Sequence, residues 1–343
     1  MFTTPVVRAL RQRYPTARLT YLVEPAAEPI VAASPHLSQV LTIPYSRGWR
    51  RVRDDLAFAL RLRRARFDLV IDLHGGPRSA WLSWASGAAV RVGYDVPGRS
   101  WMYTRVVPRP RAIRPRHAVE NQWDLLAAVD PALARPPDRS QDRVEMPADP
   151  ASRASADRKL GALGLSPDDR LTVLHVSAGN PFRRWPEASF AALAADLARR
   201  AGDCWVLVSS GPSDRLAAHR VLDDARTRAG AAARRILDGE GYSLAELRAI
   251  LDRASLFVGG DSGPLHIAAT SDVPIVGIYG STLPSRSAPW RPTSLPTVAI
   301  DAGDLPCRPC DQRVCTPGDF RCLSGIPAAQ VRQAAVQLLE AGR

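Results

Sequence analysis

The chain has 343 residues, 46 basic against 34 acidic, and a formal net charge of +12. That length suggests two domains, and a hydrophobic share of 45% excludes a disordered or collagen-like chain. No apolar run approaches the ~18 residues of a membrane span, and Arg8, Arg11 and Arg13 interrupt the place where a signal peptide needs its apolar stretch.

In chain order, a helical stretch over 5–13 precedes a strand at 18–23 and a short apolar run at 40–43. A helix over 53–66 leads into a buried-strand pattern from Phe67 to Gly75, then a helix over 78–85 and a strand at 90–93. Residues 105–150 are rich in Pro and Arg, broken by a helix near 118–128, and Pro131, Pro136, Pro137, Pro147 and Pro150 read as a linker. The second series is clearer. It runs strand 171–176, helix 186–201, strand 204–209, then a Gly211-Pro212-Ser213-Asp214 turn that opens a helix. An extended piece at 234–237 follows, then a helix over 243–253 with Ser243 and Glu246 as a capping box. A strand at 255–258 ends in Gly259-Gly260-Asp261, Ser262-Gly263-Pro264 opens a helix, and 273–279 is a strand. A helix over 327–341 closes the chain. Such alternation predicts an α/β fold with parallel sheets, and ligands in such sheets sit beyond the carboxyl ends of the strands. The expected domains are 1–150 and 151–325, followed by the terminal helix 326–343.

The charge is uneven. Residues 1–150 carry 23 Arg against 14 acids, which is +9 of the +12, and the run 47–66 holds eight Arg against Asp54 and Asp55. The run reads as a solvated helix face or as a docking surface for phosphates or anionic lipid headgroups. No stacking-aromatic pattern or motif for nucleic acid accompanies it. Of all 46 basic residues only Lys159 is not Arg, a skew read here as the codon usage of a GC-rich genome.

The segment with the densest chemistry is Gly260-Asp261-Ser262-Gly263-Pro264-Leu265-His266. Gly263 allows close backbone approach to a ligand, Pro264 suits a first helical turn, and free N–H groups there favour phosphate. Ser262 adds a hydroxyl donor, His266 faces the same space, and Asp261 is an acceptor suited to sugar hydroxyls. The alternative is a capped turn with a satisfied histidine.

With Val273-Pro274-Ile275-Val276-Gly277-Ile278-Tyr279-Gly280-Ser281-Thr282 downstream, this segment resembles the heptosyltransferases of lipopolysaccharide core synthesis, glycosyltransferase family 9. Arg183-Arg184-Trp185-Pro186, Tyr242-Ser243-Leu244, Asp72-Leu73-His74-Gly75 and Thr3-Thr4-Pro5 are similar to family motifs in order and spacing. The resemblance implies a GT-B architecture, two Rossmann-like doubly wound domains facing a cleft. It implies inverting, metal-independent transfer of heptose from ADP-heptose to a phosphorylated, lipid-linked acceptor of the lipopolysaccharide inner core. It also implies a peripheral, cytoplasmic place at the anionic inner membrane, and no nucleic acid partner. By motif, Ser262, Gly263 and His266 hold the donor diphosphate, Asp261 contacts the sugar, and Arg183 neutralises the leaving phosphate where the family has Lys. Asp214 matches a ribose contact, Tyr242 the adenine pocket, and Ser177 a further polar donor contact. His74 and Arg78 are expected to bind acceptor. His117 and Glu120 read mainly as cap and packing.

The family's Gly-Asp pair, whose Asp is the proposed general base, falls immediately before Met1. The expectation is therefore a missing first strand of roughly a dozen residues and a start codon assigned too late. Other readings are a different sugar, a protein acceptor, or a non-catalytic nucleotide-sugar-binding paralogue. Cys204 reads as an inert core thiol. Cys307, Cys310, Cys315 and Cys322, spaced C-x2-C-x4-C-x6-C, leave free thiols, disulfides and a zinc site open, with zinc not favoured.

Overall fold

The computed structural model describes residues 1–109, 116–176, 180–200 and 204–342. One compact unit spans Phe2–Glu145 and the other Met146–Arg343.

The first unit carries five short strands, β1 (Thr20–Val23), β2 (Gln39–Thr42), β3 (Leu69–Ile71), β4 (Val90–Tyr94) and β5 (Arg105–Val107). They form two separate parallel sheets, β1–β2 and β3–β4–β5. Every residue of β1 and of β3 is only half-buried. The expected buried strand from Phe67 to Gly75 is therefore corrected to three residues. One edge of β3 has no neighbouring strand among the described residues, which leaves it at the margin of its sheet. The core follows the same division: Val6, Ala9 and Trp123 form one cluster, Leu41, Phe58 and Leu62 a second, and Val92, Tyr94 and Leu125 a third. The arginine-rich helix starts earlier than its pattern suggested and runs Gly48–Arg64.

The second unit holds β6 (Arg170–His175), β7 (Cys204–Ser209), β8 (Ile236–Asp238), β9 (Leu256–Gly260), β10 (Ile275–Tyr279) and β11 (Thr297–Asp301). Their order is β11-β10-β9-β6-β7-β8, all parallel. Renumbered within the unit this is 3-2-1-4-5-6, the doubly wound dinucleotide-fold order. β9 and β10 are buried throughout, as expected of parallel strands covered on both faces. The helix Glu187–Arg199 buries Phe190, Leu193, Ala194 and Leu197 into one continuous core, which the C-terminal helix Ala328–Ala341 completes with Val331, Ala335 and Leu339.

Among the elements that escaped the pattern are a helix and an edge strand. Pro150, read as linker, opens the helix Pro150–Ala162, with Asp149 accepting from the Ala151 and Ser152 amides at 3.3 and 2.8 Å. β11 is an edge strand that alternates, with Thr297 and Ala299 exposed and Val298 and Ile300 packed on the core. No helix among the described residues is long and apolar enough to cross a membrane.

Candidate active site

In a doubly wound sheet the ligand crevice opens where the strand order reverses, which here is beyond the carboxyl ends of β6 and β9. Asp261 follows β9 directly and is 2% exposed. Thr282 Oγ1 donates to its Oδ2 at 2.6 Å. His266 Nε2 lies 3.4 Å from Oδ1 and Arg183 Nη1 3.6 Å from Oδ2. Burial alone would push the Asp261 carboxyl up. The bonds from His266 and Thr282, with the charges of His266 and Arg183, outweigh burial and hold it below the usual carboxylate value. The group is an ionised acceptor at neutral pH.

Ser262 occupies the N-cap position of the helix Gly263–Ala268 but makes no cap bond. Its Oγ is buried and has no hydrogen-bond partner among the described residues. An unpartnered buried hydroxyl costs about 1–3 kcal/mol, so this one is poised to serve a ligand. A Cβ on Gly263 would meet nothing within 4 Å, which leaves its backbone open to approach. With six residues the helix has too few aligned peptides for a sizeable macrodipole. Side chains and individual N–H groups therefore carry the positive potential.

Arg183 ends a short 3-10 turn, Pro181–Arg183, whose Asn180 Oδ1 accepts from the Phe182 amide at 3.0 Å. Gln312 Oε1 accepts from Arg183 Nε at 3.0 Å and from Asn180 Nδ2 at 2.8 Å. Arg183 Nη1 also donates to the Asp261 carbonyl at 3.3 Å. Gly260 makes this proximity possible, because a Cβ there would stand 2.9 Å from the Arg183 carbonyl oxygen. The structure thus brings Arg183, Asp261, Ser262, Gly263 and His266 together. Ser177 lies outside the described residues.

Asp214 and Tyr242 belong to neighbouring groups. Asp214 is buried and paired with Arg184, and Ser213 Oγ donates to its Oδ2 at 3.1 Å. Near it, His175 ends β6 with Nδ1 3.0 Å from Ser209 Oγ. Complete burial lowers the His175 pKa to about 4, against a smaller upward pull from Asp214. Tyr242 sits under Lys159, whose Nζ is 5.1 Å from the ring centroid. Burial, then Glu246 and Asp238, push its phenol up to about 12. An open depression lined by Pro212, Ser213, Arg215, Leu216, His219 and Glu240 lies beside Asp214. Thr282 and Arg184 close motifs already singled out, whereas Gln312 and His175 reach the site only through tertiary folding and carried no local signal.

In the first unit, His74 is exposed just past β3, its amide donating to Asp72 Oδ1 at 2.9 Å. The Arg78 guanidinium is bound to Asp55 and to the Pro44 carbonyl, the latter at 2.7 Å. There it braces the arginine-rich helix. His117 and Glu120 form a capping box. All five cysteines are free thiols, Cys204 and Cys322 buried. Among the described residues the set of potential metal ligands that converges within 4.8 Å is His219, Asp238 and Glu240, not the four C-terminal cysteines. Glu240 is already paired with Arg215 and with His219.

The model of glycosyltransferase family 9 (heptosyltransferase) matches residues 56–319. Lipopolysaccharide heptosyltransferase 3 of Escherichia coli is 27% identical over 348 aligned positions, covering 99% of this chain and 95% of that protein. A family 9 glycosyl transferase from Veillonella parvula DSM 2008 superimposes with TM-score 0.84 at 23% identity, over 99% of this chain and 93% of that one. The Escherichia coli ADP-heptose LPS heptosyltransferase II does so with TM-score 0.78 at 19% identity, over 99% and 95%. These likenesses show an α/β fold with parallel sheets, matching the GT-B heptosyltransferases.

Proposed function

Since the chain belongs to glycosyltransferase family 9, we propose that it moves heptose from ADP-heptose to the inner core of lipopolysaccharide, a lipid A–Kdo or core-heptose acceptor. The transfer inverts the anomeric centre and needs no catalytic metal. The protein works from the cytoplasm, peripherally at the inner membrane. The observation that carries this reading is the buried, unpartnered Ser262 hydroxyl beside the Arg183–Asp261–His266 cluster at the switch point.

Glycosyl transfer from a nucleotide sugar passes through an oxocarbenium-like state, and charge gathers on the departing diphosphate. Positive and hydrogen-bonding groups fixed where that charge develops lower the barrier most. Arg183, held by Gln312, together with His266, the Ser262 hydroxyl and the N–H groups that start the helix Gly263–Ala268, fills that role. The ionised Asp261 accepts from a sugar hydroxyl and orients the ring. From Ser262 the nucleoside runs across the ends of β6 and β7 toward Asp214 and Tyr242, which follows the strand order β9-β6-β7-β8. His74 lies on the acceptor's side.

A donor screen with a deacylated lipid A–Kdo acceptor tests this. Turnover is expected with ADP-heptose and not with UDP-sugars. His266→Ala and Asp261→Ala are each expected to lower kcat/KM by about tenfold or more, the scale of losing one charge-stabilising contact. Unchanged kinetics in both variants would refute the site.

A further inference from the structure

We infer that the helix Gly48–Arg64 lies in the interface of an anionic bilayer, with a second apolar stripe inserted among the lipids. The helix buries one stripe, Phe58, Ala59 and Leu62, against Leu41 and Leu82. A different stripe faces outward. Trp49 is 89% exposed, and Val52, Leu56 and Leu60 are 51–56% exposed. These four follow at intervals of three, four and four residues, so at 3.6 residues per turn they lie within one narrow arc. Tyr45, just before the helix, is also exposed. Large apolar side chains aligned along one exposed helix are a patch built to be covered.

The charge around the stripe selects the occupant. Arg47, Arg50, Arg51, Arg53, Arg61, Arg63 and Arg64 are exposed. Asp54 and Asp55 are already engaged by Arg53 and Arg78. The side chains of Arg47, Arg61, Arg63 and Arg64 make no hydrogen bond or ion pair among the described residues. An apolar row with Trp near one end, flanked by unpaired arginines, is the composition of helices that lie flat in the headgroup boundary of anionic membranes. Arginine stems can run along the apolar face while their heads reach lipid phosphates. A soluble phosphate would satisfy the arginines but leave the stripe in water. A second copy of this chain would bring like charges together.

This inference deepens the peripheral-membrane part of the proposed function and rests on it, so its test uses vesicles that contain no acceptor. Co-sedimentation with phosphatidylglycerol-containing vesicles is compared with neutral phosphatidylcholine vesicles, at low and high salt. The full chain is expected to bind the anionic vesicles, more weakly at high salt. The triple variant Trp49→Ser, Leu56→Ser, Leu60→Ser is expected to lose at least tenfold in apparent affinity. It should keep wild-type turnover on a soluble, deacylated acceptor, which also shows that it folds. Equal vesicle binding by the triple variant and the parent would overturn the inference. So would absence of binding by the parent, or a concentration-dependent dimer that the triple variant abolishes. Failure of ADP-heptose turnover with vesicle binding intact would instead strike the proposed function.

Discussion

A buried hydroxyl left unpartnered is a local cost the fold does not need for itself. Replacing Ser262 by Ala removes that cost. The expected outcome is a melting temperature unchanged or raised, with kcat/KM for ADP-heptose lowered about tenfold. Thermal scans and steady-state kinetics on one preparation check both. His175 marks the opposite case, a residue that serves packing and pays in pH range. Its pKa is about 4 when folded against 6.5 ordinarily. Between those values the unfolded chain binds a proton that the folded chain does not. The contribution of neutral His175 is therefore complete above pH 6.5 and is lost as the pH falls toward 4. Glu246 acts lower down. Burial would raise it, but Lys159, the Ser243 amide and Ser155 hold it at about 2, so its contribution fades only below its ordinary 4.5. The variant His175→Asn should flatten stability between pH 4 and 6.5, measured by urea denaturation across that range, and leave the more acidic limb in place.

At the level of elements, the second unit was readable because its strands are continuous apolar runs and its helices announce their ends. Ser243 and Glu246 show the capping box that their spacing predicts, with the Glu246 amide donating to Ser243 Oγ at 3.1 Å and the Ser243 amide to Glu246 Oε2 at 2.8 Å. Ser243→Ala should cost about 1 kcal/mol, read as a lower urea midpoint with an unchanged slope. The same logic exposes the misreading at Asp149-Pro150. An acidic N-cap followed by Pro is a helix start, but the surrounding prolines masked it. β11 stayed hidden because its alternation rests on two apolar residues, Val298 and Ile300, too short a run to stand out just after Pro296. The candidate site was legible where it follows one strand–turn–helix, from Gly260 to His266. Its supports were not: Gln312 lies far along the chain from Arg183, and only folding puts their side chains 3.0 Å apart. The pairing of Arg78 with Asp55 escaped for the same reason.

For the whole molecule, the +12 charge resolves into a placed feature. Three quarters of it belongs to residues 1–150, and its densest run lies on one helix whose outward side is also apolar. Residues 151–343, by contrast, carry 23 basic against 20 acidic residues and are nearly balanced. The two units also differ in how completely their sheets are closed. One has six strands in a single unbroken array, the other five strands in two pieces. Two separate sheets have four open flanks among the described residues instead of two, and each flank is a row of backbone groups able to template a foreign strand. Deuterium uptake should be faster at 20–23 and 69–71 than at 256–260, read by exchange mass spectrometry. On heating, the first unit should be the part that loses order earliest and seeds aggregation, so solution handling of this protein will be governed by its two small sheets rather than by its well-packed second unit.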